Sequence, residues 1–279
     1  MCSRSMASSS AKEIRRFTQA LAAGLAGEDE AGRVPEDPVQ FARKLGMVPD
    51  EWQERALRSD HPRMLLNCSR QSGKSRIAAT IAAHRALVSP NSLVLIIAPS
   101  ERQAKETFNE AARAYTRLGE AVPADSYRKL GVELRNGSRI EALPGSERTV
   151  RGFAAVDLLV VDEAARVDDE LYFAVRPMLA VSGGRLMMLS TPYGKRGAFY
   201  EGWENGGDEW ERYEIPASQC PRISEEFLEQ ERRQMPEWVF AQEYCCEFRE
   251  VDDQVFTWDM VYGAVDVGVE PLVFAQEAW

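Results

Sequence analysis

The sequence predicts an α/β fold, with a doubly wound and mostly parallel sheet and small helical additions at both ends. Short apolar runs alternate along the chain with longer segments of helical character. The runs at residues 93–98 and 158–161 are apolar at every position, as is typical of strands buried on both faces of a parallel sheet. A length of 279 residues suits one large domain with appendages, or two small ones.

The N-terminal part of the chain predicts short helices separated by polar segments. Apolar residues recur at helical spacing within residues 12–27, which favours an amphipathic helix over a signal peptide. Residues 24–38 are rich in Gly, Pro and acidic residues and are expected to form a linker. Two helices should follow, at 39–45 and 50–58, and Asp50 is the expected N-cap of the second.

The central and C-terminal parts predict the sheet and the helices that cover it. Asn136-Gly137 separates two of the expected strands and is a strong hairpin signal. The expected strands are 64–67, 93–98, 132–134, 139–143, 158–161, 186–189 and 210–215, and the expected helices are 75–88, 101–118 and 225–244.

Composition excludes several classes of protein. The five cysteines show no Cys-x-x-Cys spacing and only two histidines are present, so a disulfide framework and a zinc site are not expected. No run of about 18 apolar residues occurs, so we expect no membrane span. These features favour a protein of a reducing cytoplasm.

A phosphate-binding loop is predicted between the first strand and the helix at 75–88. The segment reads Cys68-Ser69-Arg70-Gln71-Ser72-Gly73-Lys74-Ser75. Such a turn exposes backbone N–H groups to phosphates, and the helix N-terminus adds a favourable dipole. Lys74 would reach the β- and γ-phosphates, and the Ser75 hydroxyl would bind Mg²⁺. Cys68 stands where the consensus has its first glycine, and a plain helix-capping turn is the alternative.

Two carboxylates follow the strand at 158–161 and complete the expected site. Asp162 and Glu163 would lie at the carboxyl edge of the sheet, where α/β proteins bind ligands. Asp162 would hold Mg²⁺, and Glu163 would orient and deprotonate an attacking water. A helix N-cap is the alternative for this pair. The two segments together predict a P-loop NTPase of the ASCE or RecA-like type.

A third strand, at 186–189, ends in Ser190-Thr191-Pro192. Small hydroxyls at a strand end could sense the γ-phosphate, although an ordinary Ser/Thr-Pro turn has the same composition.

In this combination the chain resembles the ATPase half of the large terminase subunit, the DNA-packaging motor of tailed phages. The resemblance covers about residues 49–256. The segments that carry it are Trp52-Gln53, Arg70 to Ser75, Ala98-Pro99-Ser100 with Gln103, Arg151-Gly152, Val161 to Ala165, and Ser190-Thr191-Pro192.

The resemblance implies a set of site residues. Gln53 would contact adenine, Arg70 is the loop arginine of the family, and Ser190-Thr191-Pro192 couples hydrolysis to DNA movement. Arg151 would act on the nucleotide of a neighbouring subunit, with Arg148 as the competing candidate. The expected nucleotide contacts are Gln53, Ser69, Arg70, Gln71, Ser72, Gly73, Lys74 and Ser75. The expected catalytic residues are Glu163, Lys74, Arg151 and Arg70, and the expected Mg²⁺ ligands are Ser75 and Asp162.

The resemblance also implies ATP and Mg²⁺ as cofactors and a place in the host cytoplasm. The implied partners are double-stranded DNA, the small terminase subunit, the portal of the procapsid, and further copies of the chain in a ring. We expect a tail, helix and linker at 1–48, an ATPase core at 49–217, and a helical lid and linker at 218–279. About 23 residues follow Phe256, too few for the nuclease domain that terminases usually carry.

Two other functions fit parts of the pattern. A helicase-type ATPase shares these motifs but needs a second motor domain, for which about 90 residues after Pro192 are too few. A nucleotide-gated assembly module would bind ATP without hydrolysing it.

The net charge of −10 does not exclude DNA as a partner, because it is unevenly distributed. Residues 61–160, which contain the phosphate loop and Arg151, carry a net charge of +6, whereas residues 161–279 carry −15. Any contact with DNA must therefore be local.

Overall fold

A computed structural model describes residues 34–118, 121–144 and 152–250, together with Met260, Gly263 and Ala264. Its eight strands are β1 (Arg63–Cys68), β2 (Leu93–Ala98), β3 (Ala124–Arg128), β4 (Gly131–Leu134), β5 (Arg139–Pro144), β6 (Leu158–Asp162), β7 (Arg185–Ser190) and β8 (Glu211–Ile215). The helix expected at 12–27 lies outside the described residues.

The strands form one mixed sheet in the order β3-β4-β5-β2-β6-β7-β1-β8. Six neighbouring strands, from β5 to β8, run parallel, and the β3-β4 and β4-β5 pairs are antiparallel. The turn between β4 and β5 contains Asn136 and Gly137, and Gly137 adopts a positive φ of 81°. The predicted fold class and the predicted hairpin are both confirmed.

Eight α-helices accompany the sheet within the described residues. They are α1 (Pro38–Lys44), α2 (Glu51–Arg58), α3 (Lys74–Val88), α4 (Glu101–Arg117), α5 (Asp169–Val175), α6 (Gly197–Glu204), α7 (Glu225–Gln234) and α8 (Glu237–Cys245). None of these helices is both long enough and apolar enough to cross a bilayer.

Alternate residues of the central strands face two separate cores, which makes the sheet doubly wound. In β1, Met64 and Leu66 belong to the core shared with α1 to α4, while Leu65 belongs to the core shared with α5 and α6. The same alternation in β2 places Ile96 in the first core and Ile97 in the second. Strands buried on both faces explain the continuous apolar runs in the sequence.

Three features differ from the sequence prediction. The single helix expected at 225–244 is two helices, α7 and α8, because the Pro236 ring disfavours helical geometry at Met235 and lacks the N–H that a continuing helix needs. Strand β3 was not predicted, since its residues are mostly polar and partly exposed. Helices α5 and α6 are too short for a clear periodic signal.

Helix α1 packs into the main core, although a linker was expected just before it. Val39 and Phe41 are fully buried in the core that also contains residues of α2, α3 and α4. The Phe41 ring makes an edge contact with the His84 ring at 5.0 Å between centroids. A ring nitrogen of His84 lies 2.9 Å from the Pro35 carbonyl oxygen, which ties the approach to α1 to α3.

We therefore predict that Phe41→Ala lowers the free energy of unfolding by about 3–5 kcal/mol, because it removes a buried ring and leaves a cavity. Urea denaturation measures this change. Val48→Ala is the matched control, because Val48 is almost fully exposed and its loss should be close to neutral. Equal losses for the two variants would show that α1 does not contribute to the core.

Candidate functional site

The phosphate loop connects the buried end of β1 to the first turn of α3. Gln71 and Gly73 both adopt positive φ, at 58° and 92°. A Cβ atom on Gly73 would also lie 3.1 Å from Gln53 Nε2, so glycine suits both the backbone and the space. Gly73 is the N-cap of α3 and has no side chain with which to cap it. The N–H groups of the first turn can therefore serve an anion.

Cys68 occupies the position of the missing first glycine without disturbing β1. Its side chain is fully buried, and burial raises the pKa of the thiol to about 12. The thiol is therefore protonated and acts as a small apolar side chain.

Backbone hydrogen bonds from distant segments hold the beginning of the loop. The Ser69 N–H donates to the Ile215 carbonyl at 2.9 Å, and the Arg70 N–H donates to the Glu243 carbonyl at 3.1 Å. The Arg70 guanidinium also forms an ion pair with the Glu243 carboxylate, which raises the pKa of Arg70. Sequence reasoning missed Glu243, because it lies on α8, far from any recognisable motif.

The Ser72 carbonyl is held from the other side by two side chains. It accepts hydrogen bonds from Arg222 at 3.0 Å and from Gln53 Nε2 at 3.4 Å. The Gln53 side-chain oxygen accepts from the Asp50 N–H at 3.1 Å, and Arg222 makes a bidentate ion pair with Asp50. Both ends of the Gln53 amide thus bond within the protein. Contact with adenine, as predicted from the resemblance, would require exchanging at least one of these bonds.

The predicted residues of three strand ends meet beside the loop. Lys74 Nζ lies 3.2 Å from Thr191 Oγ1 and 3.6 Å from Glu163 Oε1. Ser190 Oγ lies 3.5 Å from Glu163 Oε2 and donates to the Thr191 carbonyl at 2.7 Å. The structure therefore brings Lys74, Glu163, Ser190 and Thr191 into one cluster.

Asp162 lies in the deepest part of this cluster. Its Oδ1 accepts hydrogen bonds from Ser75 Oγ at 3.3 Å and from the Glu163 N–H at 2.9 Å. Its Oδ2 accepts from Thr107 Oγ1 at 2.6 Å. Burial raises the pKa of Asp162, while the bonds from Thr107 and Ser75 act in the opposite direction. Thr107 was also missed from sequence, because a lone threonine on a helix carries no pattern.

The residues predicted for Mg²⁺ fit the chemistry of that ion. The Ser75 hydroxyl and the Asp162 carboxylate are hard oxygen donors within hydrogen-bond distance of each other. In the described ranges no group of three or more His, Cys, Asp or Glu side chains is placed to hold a metal. Mg²⁺ does not require such a group, because it keeps several waters and takes phosphate oxygens beside one or two protein ligands.

Glu163 has an unusual backbone conformation. Its φ of 52° and ψ of 42° place it in the left-handed region, which is costly for a residue with a Cβ. The bond from its N–H to Asp162 helps to hold this geometry. The strained turn separates the directions of two consecutive carboxylates, so that Asp162 meets Ser75 while Glu163 meets Lys74.

Two other predicted elements have different positions. Pro192 is buried directly after Thr191, in the same strand-end cluster. Arg151 and Arg148 lie outside the described residues, so their predicted role is not addressed by this geometry.

The family profile described as "Terminase large subunit, T4likevirus-type, N-terminal" matches residues 65–261, which is most of the chain. The chain belongs to this terminase family. The resemblance inferred from the motifs is thereby confirmed.

Individual relatives agree with this assignment. The terminase large subunit of Thermus virus P23-45 is 28% identical over 254 residues, which cover 78% of this chain and 52% of the relative. The chain thus spans about half the length of that curated relative. The solved large terminase ATPase domain of Thermus phage P74-26 is 26% identical, with a TM-score of 0.68, and the match covers 75% of this chain and 98% of that domain.

The fold is shared more widely among terminases. The large terminase of another thermophilic bacteriophage matches with a TM-score of 0.62 at 12% identity, over 72% of this chain and 54% of that protein. That terminase has been solved in complexes with ADP and with ATP-gamma-S.

The bond between Thr107 and Asp162 makes a prediction for stability. Thr107→Val keeps the side-chain shape but leaves a buried carboxylate oxygen without this donor. We expect the free energy of unfolding at pH 7 to fall by about 1–3 kcal/mol, measured by urea denaturation. Thr116→Val on the same helix is the control, because the Thr116 hydroxyl bonds to the Ala112 carbonyl at an exposed position. A similar loss in both variants would contradict a specific role for Thr107.

Proposed function

We propose that this chain is the Mg-ATP-hydrolysing motor domain of a phage DNA-packaging terminase. It would couple hydrolysis to translocation of double-stranded DNA into a procapsid. The observation that carries this proposal is the convergence of Lys74, Glu163 and Asp162 at the carboxyl ends of two parallel strands, in a chain of the terminase family. Lysine, a hydroxyl and two carboxylates in this arrangement suit phosphoryl transfer to water.

In this proposal the phosphate loop binds the triphosphate of ATP. The N–H groups at the start of α3 and the Lys74 ammonium neutralise the phosphates, and Gly73 allows their close approach. Residues from Ser69 to Ser75 form the walls of the loop, and Gln53 supports it beside Ser72. Ser75 and Asp162 would hold Mg²⁺, which supplies positive charge that stabilises the transferring phosphoryl group.

Glu163 is the proposed general base. A cleft of about 420 Å³ lies beside Ser75, Asp162 and Glu163, and α4 forms its other wall with Gln103 and Thr107. This polar cleft has room for a water molecule next to the Glu163 carboxylate. Glu163 would orient that water and accept its proton, and Lys74 would stabilise the charge on the phosphate oxygens.

Ser190-Thr191-Pro192 is proposed to couple the chemistry to movement. Ser190 contacts the Glu163 carboxylate, and Thr191 contacts Lys74, so a change at the γ-phosphate reaches this segment directly. Tyr193 follows it, and the Arg166 guanidinium lies 3.9 Å from the centre of the Tyr193 ring. This cation–π contact connects the turn after Glu163 to the loop after Pro192.

The wider assembly completes the proposal. Core residues 49–217 would bind and hydrolyse ATP, residues 218–279 would form a lid and linker, and residues 1–48 would precede the core. The chain would act as a ring on the portal of the procapsid, with DNA and the small terminase subunit as partners, in the host cytoplasm.

We predict that Glu163→Gln lowers the rate of phosphate release by about 10²–10⁴-fold, because the amide cannot accept the proton from water. Lys74→Ala should instead weaken nucleotide binding. Phosphate release and binding of a fluorescent ATP analogue, each with and without double-stranded DNA, separate these effects. Glu170→Gln is the control, because Glu170 is exposed on α5 and should retain the full rate.

Two results would redirect the proposal. Phosphate release that survives Glu163→Gln would remove Glu163 as the base. Lys74-dependent nucleotide binding without any release by the unaltered chain, alone or with DNA and partners, would favour the assembly module.

The role proposed for Arg151 predicts a dependence on protein concentration. An arginine supplied by a neighbouring subunit makes the rate rise more steeply than linearly with concentration, and Arg151→Ala should lower it by about 10³-fold or more. Arg148→Ala is the matched comparison and tests the competing candidate. A linear dependence together with an unaffected Arg151→Ala variant would contradict a role in a neighbouring subunit.

A further inference from the structure

The contact between the phosphate loop and α8 has two separable parts. One is the backbone bond from the Arg70 N–H to the Glu243 carbonyl at 3.1 Å. The other is the ion pair between the Arg70 guanidinium, through its Nε, and the Glu243 carboxylate. The backbone bond docks α8 on the loop, whereas the ion pair acts only on the orientation of the Arg70 side chain.

The two members of the ion pair differ in their freedom to move. The Glu243 side chain is 13% exposed, whereas the Arg70 side chain is 62% exposed. A long exposed side chain on a loop adopts many rotamers unless a fixed partner selects one. The nearly buried carboxylate is that partner, and the arginine is the part that is oriented.

The end of α8 that bears Glu243 is itself held in place by neighbours. Tyr244 donates its hydroxyl hydrogen to Glu231 on α7 at 2.9 Å. Asn67, at the end of β1, donates from its side chain to the Cys246 carbonyl at 2.9 Å. The position of Glu243 therefore does not depend on its own ion pair with Arg70.

The geometry leaves most of the guanidinium available. Glu243 takes the Nε hydrogen, and a guanidinium has five N–H donors in a rigid planar fork. Fixing Nε sets the plane and direction of the two terminal nitrogens. These terminal nitrogens form the edge that binds phosphate oxygens in a bidentate manner.

We propose that Glu243 is a positioning residue that orients Arg70 toward the phosphates of the bound nucleotide. This inference rests on the proposed ATP hydrolysis, in which Arg70 stabilises the charge of the transferring phosphoryl group. Glu243 does not touch the nucleotide and acts through Arg70 alone. Its contribution belongs to the transition state, so it should appear in kcat and leave KM unchanged.

The test compares Glu243→Ala and Glu243→Gln in chains that carry either Arg70 or Arg70→Ala. We expect Glu243→Ala to lower kcat by about tenfold, a size typical of residues that orient a functional group. Glu243→Gln keeps an acceptor for the Arg70 Nε and should retain an intermediate kcat. In the Arg70→Ala background neither substitution should lower kcat further, because the group that Glu243 orients is gone.

Glu237→Gln, on the exposed first turn of α8, is the control and should leave kcat unchanged. Thermal unfolding of every variant monitors the docking of α8. If Glu243→Ala does not fold, Glu243→Gln with its retained backbone bond still decides the question.

Three outcomes would overturn the inference. They are an unchanged kcat in both Glu243 variants, the same loss of kcat with and without Arg70, and a change confined to KM or to nucleotide affinity. Failure of the proposed function is distinguishable from these, because the unaltered chain would then show no Lys74-dependent phosphate release.

Discussion

The site depends on one constraint, which is that the buried ammonium group of Lys74 must have polar partners. The Lys74 side chain is only 9% exposed. An isolated charge at such a position would be very costly, so the surrounding structure must supply an opposite charge and hydrogen-bond acceptors. Glu163 and Thr191 supply them, and both come from the ends of other strands. The register of β1, β6 and β7 is therefore tied to the position of one side chain.

Parallel strands satisfy this constraint because their carboxyl ends meet at one edge of the sheet. β7 lies between β1 and β6, so the loops after all three strands approach each other. The apolar strands, buried in two cores, make that edge rigid. Loops fixed to such an edge can hold reacting groups within the narrow tolerances that phosphoryl transfer demands.

The same edge contains the least favourable features of the described chain. Asp162 is a buried carboxyl whose pKa is raised by burial, and Glu163 and Gln71 adopt left-handed backbone conformations. Each feature costs stability, and the packed sheet on either side offsets it. Segments far along the chain also brace the phosphate loop, through Arg222 and Glu243. This bracing gives a physical reason why the family match extends to residue 261, well beyond the last strand.

The sequence by itself determined the fold class, most strands, the hairpin and the residues that meet around Lys74. These follow from local patterns, because apolar runs report burial, Asn-Gly reports a tight turn and Gly-Lys-Ser reports a loop before a helix. Only the tertiary structure decided the break at Pro236, the bond from Thr107 to Asp162, the internal bonding of Gln53 and the ion pair of Arg70 with Glu243. Such contacts join residues that are 19 to 173 positions apart, and no local pattern encodes them. They arise from the packing of helices onto the sheet, which places single polar side chains opposite one another.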